Sequence, residues 1–175
     1  MMKQLIVFLL VLSTYSVYGQ GAKLPKWFEE EFYKKGLGSN YNIQSTIKPA
    51  YLKADFNGDG TVDIAVIIVE KRTSKVGILL IYGKTKKYVV FGASHQSSSA
   101  IDGKDNLEWI SGWKLYAKVS AAETRNNSSG DIIGTRKMKV KNKGIYIWAN
   151  EGEVNISGEI IVWDGKKFVW IHQGD

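Results

Sequence analysis

The chain is 175 residues long, with 24 Lys and Arg against 17 Asp and Glu, a formal net charge of +7, and no cysteine. That length suits one domain, and 44 % hydrophobic with 23 % charged residues describes a soluble globular chain rather than a disordered or membrane-built one. The lack of Cys excludes a disulfide framework, a thiolate metal site, a cysteine nucleophile and an iron–sulfur cluster, while 18 Gly and 12 % aromatic residues favour short strands joined by tight turns.

Residues 1–19 read as a secretory signal peptide. Lys3 supplies the positive start, Leu5 to Leu12 an unbroken apolar run, and Val17 and Gly19 the small-residue pattern for cleavage before Gln20. Eight apolar residues are too few to span a bilayer as a helix, so no transmembrane segment is expected after cleavage. The chain is therefore expected to be exported, to the periplasm or outside the cell, with residues 20–175 forming one domain. Its cations are spread as short groups such as Lys34-Lys35, Lys86-Lys87 and Arg136-Lys137, a spacing that points away from nucleic acid and leaves an anionic surface open.

After a loose leader, Pro25 fits a first helical turn. Leu24, Phe28 and Phe32 then recur every four residues with Trp27 beside them, Glu29 to Glu31 precede Lys34 and Lys35, and Gly36 is a natural stop. The pattern predicts one amphipathic helix with Glu30–Lys34 and Glu31–Lys35 pairs. From Tyr41 the period changes. Ile64 to Val69 and Gly77 to Tyr82 are continuous apolar runs, which predicts central strands covered on both faces. Tyr88 to Phe91 follows a Gly-Lys-Thr-Lys turn, and Trp113 to Val119 alternates like a half-exposed strand. Met138 to Val140 with Ile145 to Trp148, and Ile160 to Trp163 with Phe168 to Ile171, read as two more hairpins. Ser94 to Asn106 and Ala121 to Gly130 are polar and read as loops. The expected fold class is α+β: a mostly antiparallel twisted sheet of about seven to nine strands with one N-terminal amphipathic helix, in a single domain.

The chemistry concentrates in residues 55–63. Asp55, Asn57, Asp59 and Asp63 occupy positions 1, 3, 5 and 9 of a loop, and Gly60 at position 6 permits the turn that presents the Thr61 carbonyl at position 7. Ca²⁺ takes about six to eight oxygens at about 2.4 Å, and this spacing wraps them around one ion; Mg²⁺, which holds its waters in strict octahedra, fits less well. Position 12 is Val66, inside an apolar strand, so a standard EF-hand with its bidentate Glu is excluded.

The run Ala-Asp-Phe-Asn-Gly-Asp-Gly-Thr-Val-Asp-Ile-Ala-Val also resembles the calcium loop of FG-GAP/VCBS-type repeats, found in integrin-like β-propellers and many secreted bacterial proteins. That resemblance implies acidic ligand positions at Asp55, Asn57, Asp59 and Asp63 and a loop carbonyl at Thr61. A propeller needs several copies and this chain has one. The wider pattern, with its late WDGKKFVWIHQGD ending, is similar to small exported bacterial proteins carrying a single such loop, and implies no catalytic residue.

Catalytic candidates are few. His95 stands among serines, without a Gly-x-Ser-x-Gly elbow, and His172 ends the last strand. Six tryptophans can fill the core or, at Trp109 and Trp113, meet a sugar or protein. The leading expectation is an exported, non-enzymatic binding module with structural Ca²⁺, its partner a protein or glycan of the cell envelope. The alternative is a small envelope hydrolase built on His95 and nearby acids such as Asp102.

Overall fold

The computed structural model describes residues 23–95 and 104–173. The expected signal peptide therefore lies outside the described residues, as do Ser97, Ser98, Ser99 and Asp102. The N-terminal stripe forms α1 (Lys26–Lys34), which buries Phe28 and Phe32. Gly36, left-handed at φ +67°, turns the chain into a second, four-residue helix, α2 (Leu37–Asn40), so two helical segments stand where one was expected. Glu31 does reach Lys35, at 3.3 Å, but Glu30 pairs backwards with Lys26 rather than with Lys34.

Two antiparallel sheets follow. In the first, β1 (Tyr41–Gln44) and β2 (Leu52–Ala54) lie end to end along β3 (Asp63–Glu70), whose other edge pairs with β4 (Val76–Ile81) and then β5 (Tyr88–Gly92). The second contains β6 (Gly112–Tyr116), β9 (Gly144–Glu151), β10 (Val154–Trp163) and β11 (Phe168–His172), in the order β11-β10-β9-β6. The remaining pair, β7 (Ser120–Asn126) and β8 (Ile132–Lys139), forms a separate two-stranded ribbon.

Alternation along the strands explains how these layers stack. Ile64, Val66 and Ile68 of β3 meet the helices, while Ala65 and Ile67 face the second sheet. Across the interface Ile67, Ile78, Leu80 and Phe91 pack with Trp113, Ile145, Ile147, Ile161 and Trp170. On the far face of the second sheet, Ile160, Val162 and Ile171 are covered by Ala121 and Met138 at the ribbon's base. The fold is thus mostly antiparallel sheet in one small domain with little helix. Three corrections concern the strands: among the described residues there are eleven in three sheets; Ala121–Asn126, expected as loop, lies in β7; and the segment of Met138, expected to form a hairpin with Ile145–Trp148, belongs to β8, which pairs with β7 instead. The residues of β7 lack an apolar alternation because the ribbon has solvent on both sides over most of its length.

Candidate functional site

The oxygen-rich loop joins β2 to β3, and contacts from several elements hold it. Phe56, its second residue, is fully buried in the core between the sheets. Asp63 opens β3 and is also fully buried. Gly83, in the turn between β4 and β5, approaches so closely that a Cβ there would meet the Val62 carbonyl oxygen at 2.1 Å. From the other sheet, Asn142 between β8 and β9 rests on Gly58, where a Cβ would lie 2.8 Å from its amide nitrogen. The loop therefore sits where turns from both sheets meet.

Within it, Asp55 shapes the curve. Its Oδ1 accepts the N–H groups of Gly58 (2.7 Å) and Asp59 (3.1 Å), and its Oδ2 that of Gly60 (2.8 Å). Gly58 and Gly60 take φ of +79° and +83°, a region glycine enters without steric cost. Asp59 accepts from the Thr61 N–H at 2.9 Å and from the Asn57 amide at 3.1 Å. Asp63 accepts from Phe56 N–H at 3.0 Å and Gly83 N–H at 2.9 Å. Burial pushes the Asp63 carboxyl above its usual range; those two hydrogen bonds oppose the rise, and the charges of Asp59 and Asp55 add to it. Among the described residues no Lys or Arg forms an ion pair with Asp55, Asp59 or Asp63.

All five sequence-derived residues thus share one loop. Their donors are oxygens only, which suits a hard cation and offers neither the imidazole nor the thiolate that zinc and copper favour. An ionised carboxylate has about four acceptor sites, of which N–H groups of the loop, with that of Gly83 for Asp63, use two or three on each Asp. The carboxylates are drawn onto those N–H groups, and among the described residues no three His, Cys, Asp or Glu side chains converge as a closed metal-holding group.

Two further polar clusters escaped the sequence. At the edge of the first sheet, Tyr41 OH lies 2.8 Å from His95 Nε2, and His95 is exposed. Beside it Glu70 accepts the hydroxyls of Ser94 and Thr73, which hold its carboxyl below the usual range. Against the second sheet Lys104, from the segment between β5 and β6, is buried, with Nζ 3.3 Å from Glu159 Oε2 and 4.4 Å from the Trp170 ring centroid. Burial lowers the lysine's pKa and Glu159 partly restores it; His172 approaches the same carboxylate at 3.2 Å. Neither cluster has a local sequence signal, since each is assembled from segments far apart in the chain.

Trp113 is buried in the inter-sheet core and donates its indole N–H to the Pro49 carbonyl at 2.8 Å, so it offers no face to a sugar; Trp109 is half-buried against the same core. Among the described residues no helix is long and apolar enough to cross a membrane. Comparison with protein-family models, with curated proteins and with solved structures finds no match for this chain.

Proposed function

We propose that the protein is an exported, non-enzymatic binding module whose loop takes one structural Ca²⁺, with α1 as an N-terminal amphipathic helix backing the first sheet. The observation that carries this reading is Asp63, a fully buried carboxyl group close enough to Asp55 and Asp59 to feel their charge, with no Lys or Arg among the described residues in an ion pair with any of the three. Asp55, Asn57, Asp59 and Asp63 would hold the ion through side chains and Thr61 through its carbonyl. Bound calcium would supply the missing positive charge where turns of both sheets meet, which is a stabilising role rather than a catalytic one.

Extracellular calcium modules have dissociation constants of about 10⁻⁴–10⁻³ M. At ten times that constant, binding to the folded state alone adds about 1.4 kcal/mol. For a chain of this size the melting temperature should rise by roughly 3–6 °C. EDTA should reverse the gain, and Asp59→Ala should remove the response while the fold persists. A melting curve indifferent to calcium, with no heat of binding in calorimetry, would reduce the loop to a turn.

A second reading, a small envelope hydrolase, draws on the contact between His95 and Tyr41. The serines and Asp102 such a site would use lie outside the described residues, so this reading rests on the His95–Tyr41 contact alone, whereas the binding module rests on the geometry of the oxygen-rich loop.

A further inference from the structure

We propose that the β7–β8 ribbon is a docking edge for an acidic, extended segment of a partner protein, which would add as a third strand along β8. This rests on reading the protein as a binding module, and it is independent of the calcium loop.

Charge is the first ground. Residues 114–143 hold eight Lys and Arg against two acidic residues, a net +6 out of the chain's +7, and all eight cations are exposed. Among the described residues only Arg136 of the eight has a carboxylate partner, Glu123. The ribbon and its flanks therefore carry a run of exposed cations, seven of the eight without a carboxylate partner among the described residues, while groups such as Lys34-Lys35 and Lys86-Lys87 lie elsewhere.

An open backbone edge is the second. Among the described residues β8 pairs with β7 alone. The β7 strand is engaged near β11, where Gln173 donates to the Ala122 carbonyl at 2.8 Å. Along β8 only Met138 is half-buried and the other residues are exposed. An eight-residue strand offers about 26 Å of edge for backbone pairing.

A groove of about 400 Å³, lined by Val119, Ser120, Lys137 and Lys139, is the third. Ser120 and Lys139 are cross-strand partners and Lys137 lies two residues along, so these three side chains share one face of the ribbon. Val119, 79 % exposed, gives that groove an apolar wall.

A second copy of this chain is a poor occupant, because two such ribbons would bring like charge together, and edge lysines oppose self-pairing. An acidic strand turns that repulsion into attraction while its backbone pairs with β8. Lysines two apart on one face are matched by Asp or Glu at alternate positions of the added strand, since cross-strand neighbours have Cβ atoms about 5 Å apart. Apolar residues suit the positions between.

The test uses a fluorescein-labelled octapeptide of alternating Glu and Val, titrated with the purified protein at about 0.15 M salt and followed by anisotropy. Saturable binding should appear and should weaken roughly tenfold or more in the Lys137→Glu/Lys139→Glu variant. Both lysines are exposed, so the variant should keep the wild-type melting temperature and circular dichroism. Two further peptides, N-methylated along one backbone edge or the other, read the pairing itself: one should lose binding and the other keep it. Equal binding of both would mean bare charge attraction and overturn the proposal, as would absence of saturable binding. Tighter binding to phosphatidylglycerol vesicles than to the peptide would assign the patch to an anionic membrane surface and overturn it too. Melting curves with calcium and with EDTA on the same samples read the calcium loop separately, so either idea can fail without the other.

Discussion

Gly83 carries more of the candidate site than its size suggests. Its N–H donates to Asp63, and its Cα lies against the Val62 carbonyl with no room for a methyl group. Gly83→Ala should therefore push the β4–β5 turn off the loop and cost about 1–3 kcal/mol, as overpacking does. A chemical-denaturation midpoint equal to wild type would contradict that contact. Glu70 is the residue whose titration the fold should report. Hydroxyl donors from Ser94 and then Thr73 hold its folded pKa below the unfolded value. That contribution is complete above the usual glutamate range and is lost as pH falls through the depressed pKa. Glu70→Gln should flatten this part of the acid limb of a stability-against-pH curve; an unchanged limb would mean the hydroxyls do not favour the ionised form. Neither residue is distinctive in sequence. Gly83 reads only as part of a turn, and Glu70 reads as the polar end of an apolar strand, because Val62 and Asp63 reach Gly83, and Ser94 reaches Glu70, from segments distant in the sequence.

At the level of elements, continuous apolar runs were the most legible signal. Ile64–Val69 and Gly77–Tyr82 imply cover on both faces, and β3 and β4 do lie inside the first sheet with helices on one side and the second sheet on the other. Ile67 is fully buried between the sheets, so Ile67→Ala should cost about 2–5 kcal/mol in equilibrium unfolding. A variant that unfolds at the wild-type denaturant midpoint would place Ile67 outside the core. The polar ribbon was illegible for the complementary reason. Periodicity records burial, and β8 buries almost nothing, so its strand character comes from pairing with β7 alone. Cross-strand Glu123–Arg136 and Thr124–Thr135 neighbours are the sort of pairs that stabilise such a ribbon, and partners of this kind have no mark in either segment read singly.

At the scale of the molecule, three apolar interfaces divide the labour: helices on the first sheet, sheet on sheet, and ribbon base on the second sheet. The export proposal belongs here, because it concerns where the folded chain begins. Mass spectrometry of the natively produced protein should find an N-terminus at or near Gln20, and an intact Met1 or Met2 would sink the proposal. The sequence by itself determined the β-rich class, the central strands and where the oxygen-bearing residues cluster, since burial periodicity and residue spacing are local properties. Only the tertiary structure decided that the strands divide into two stacked sheets and a ribbon, because an apolar face is equally well covered by a helix or by another sheet. It also decided that Asp63 is buried against Gly83 and that Asn142 reaches Gly58 from the opposite sheet. Each of these depends on residues brought together across the chain, and no window along the sequence contains both halves of the contact.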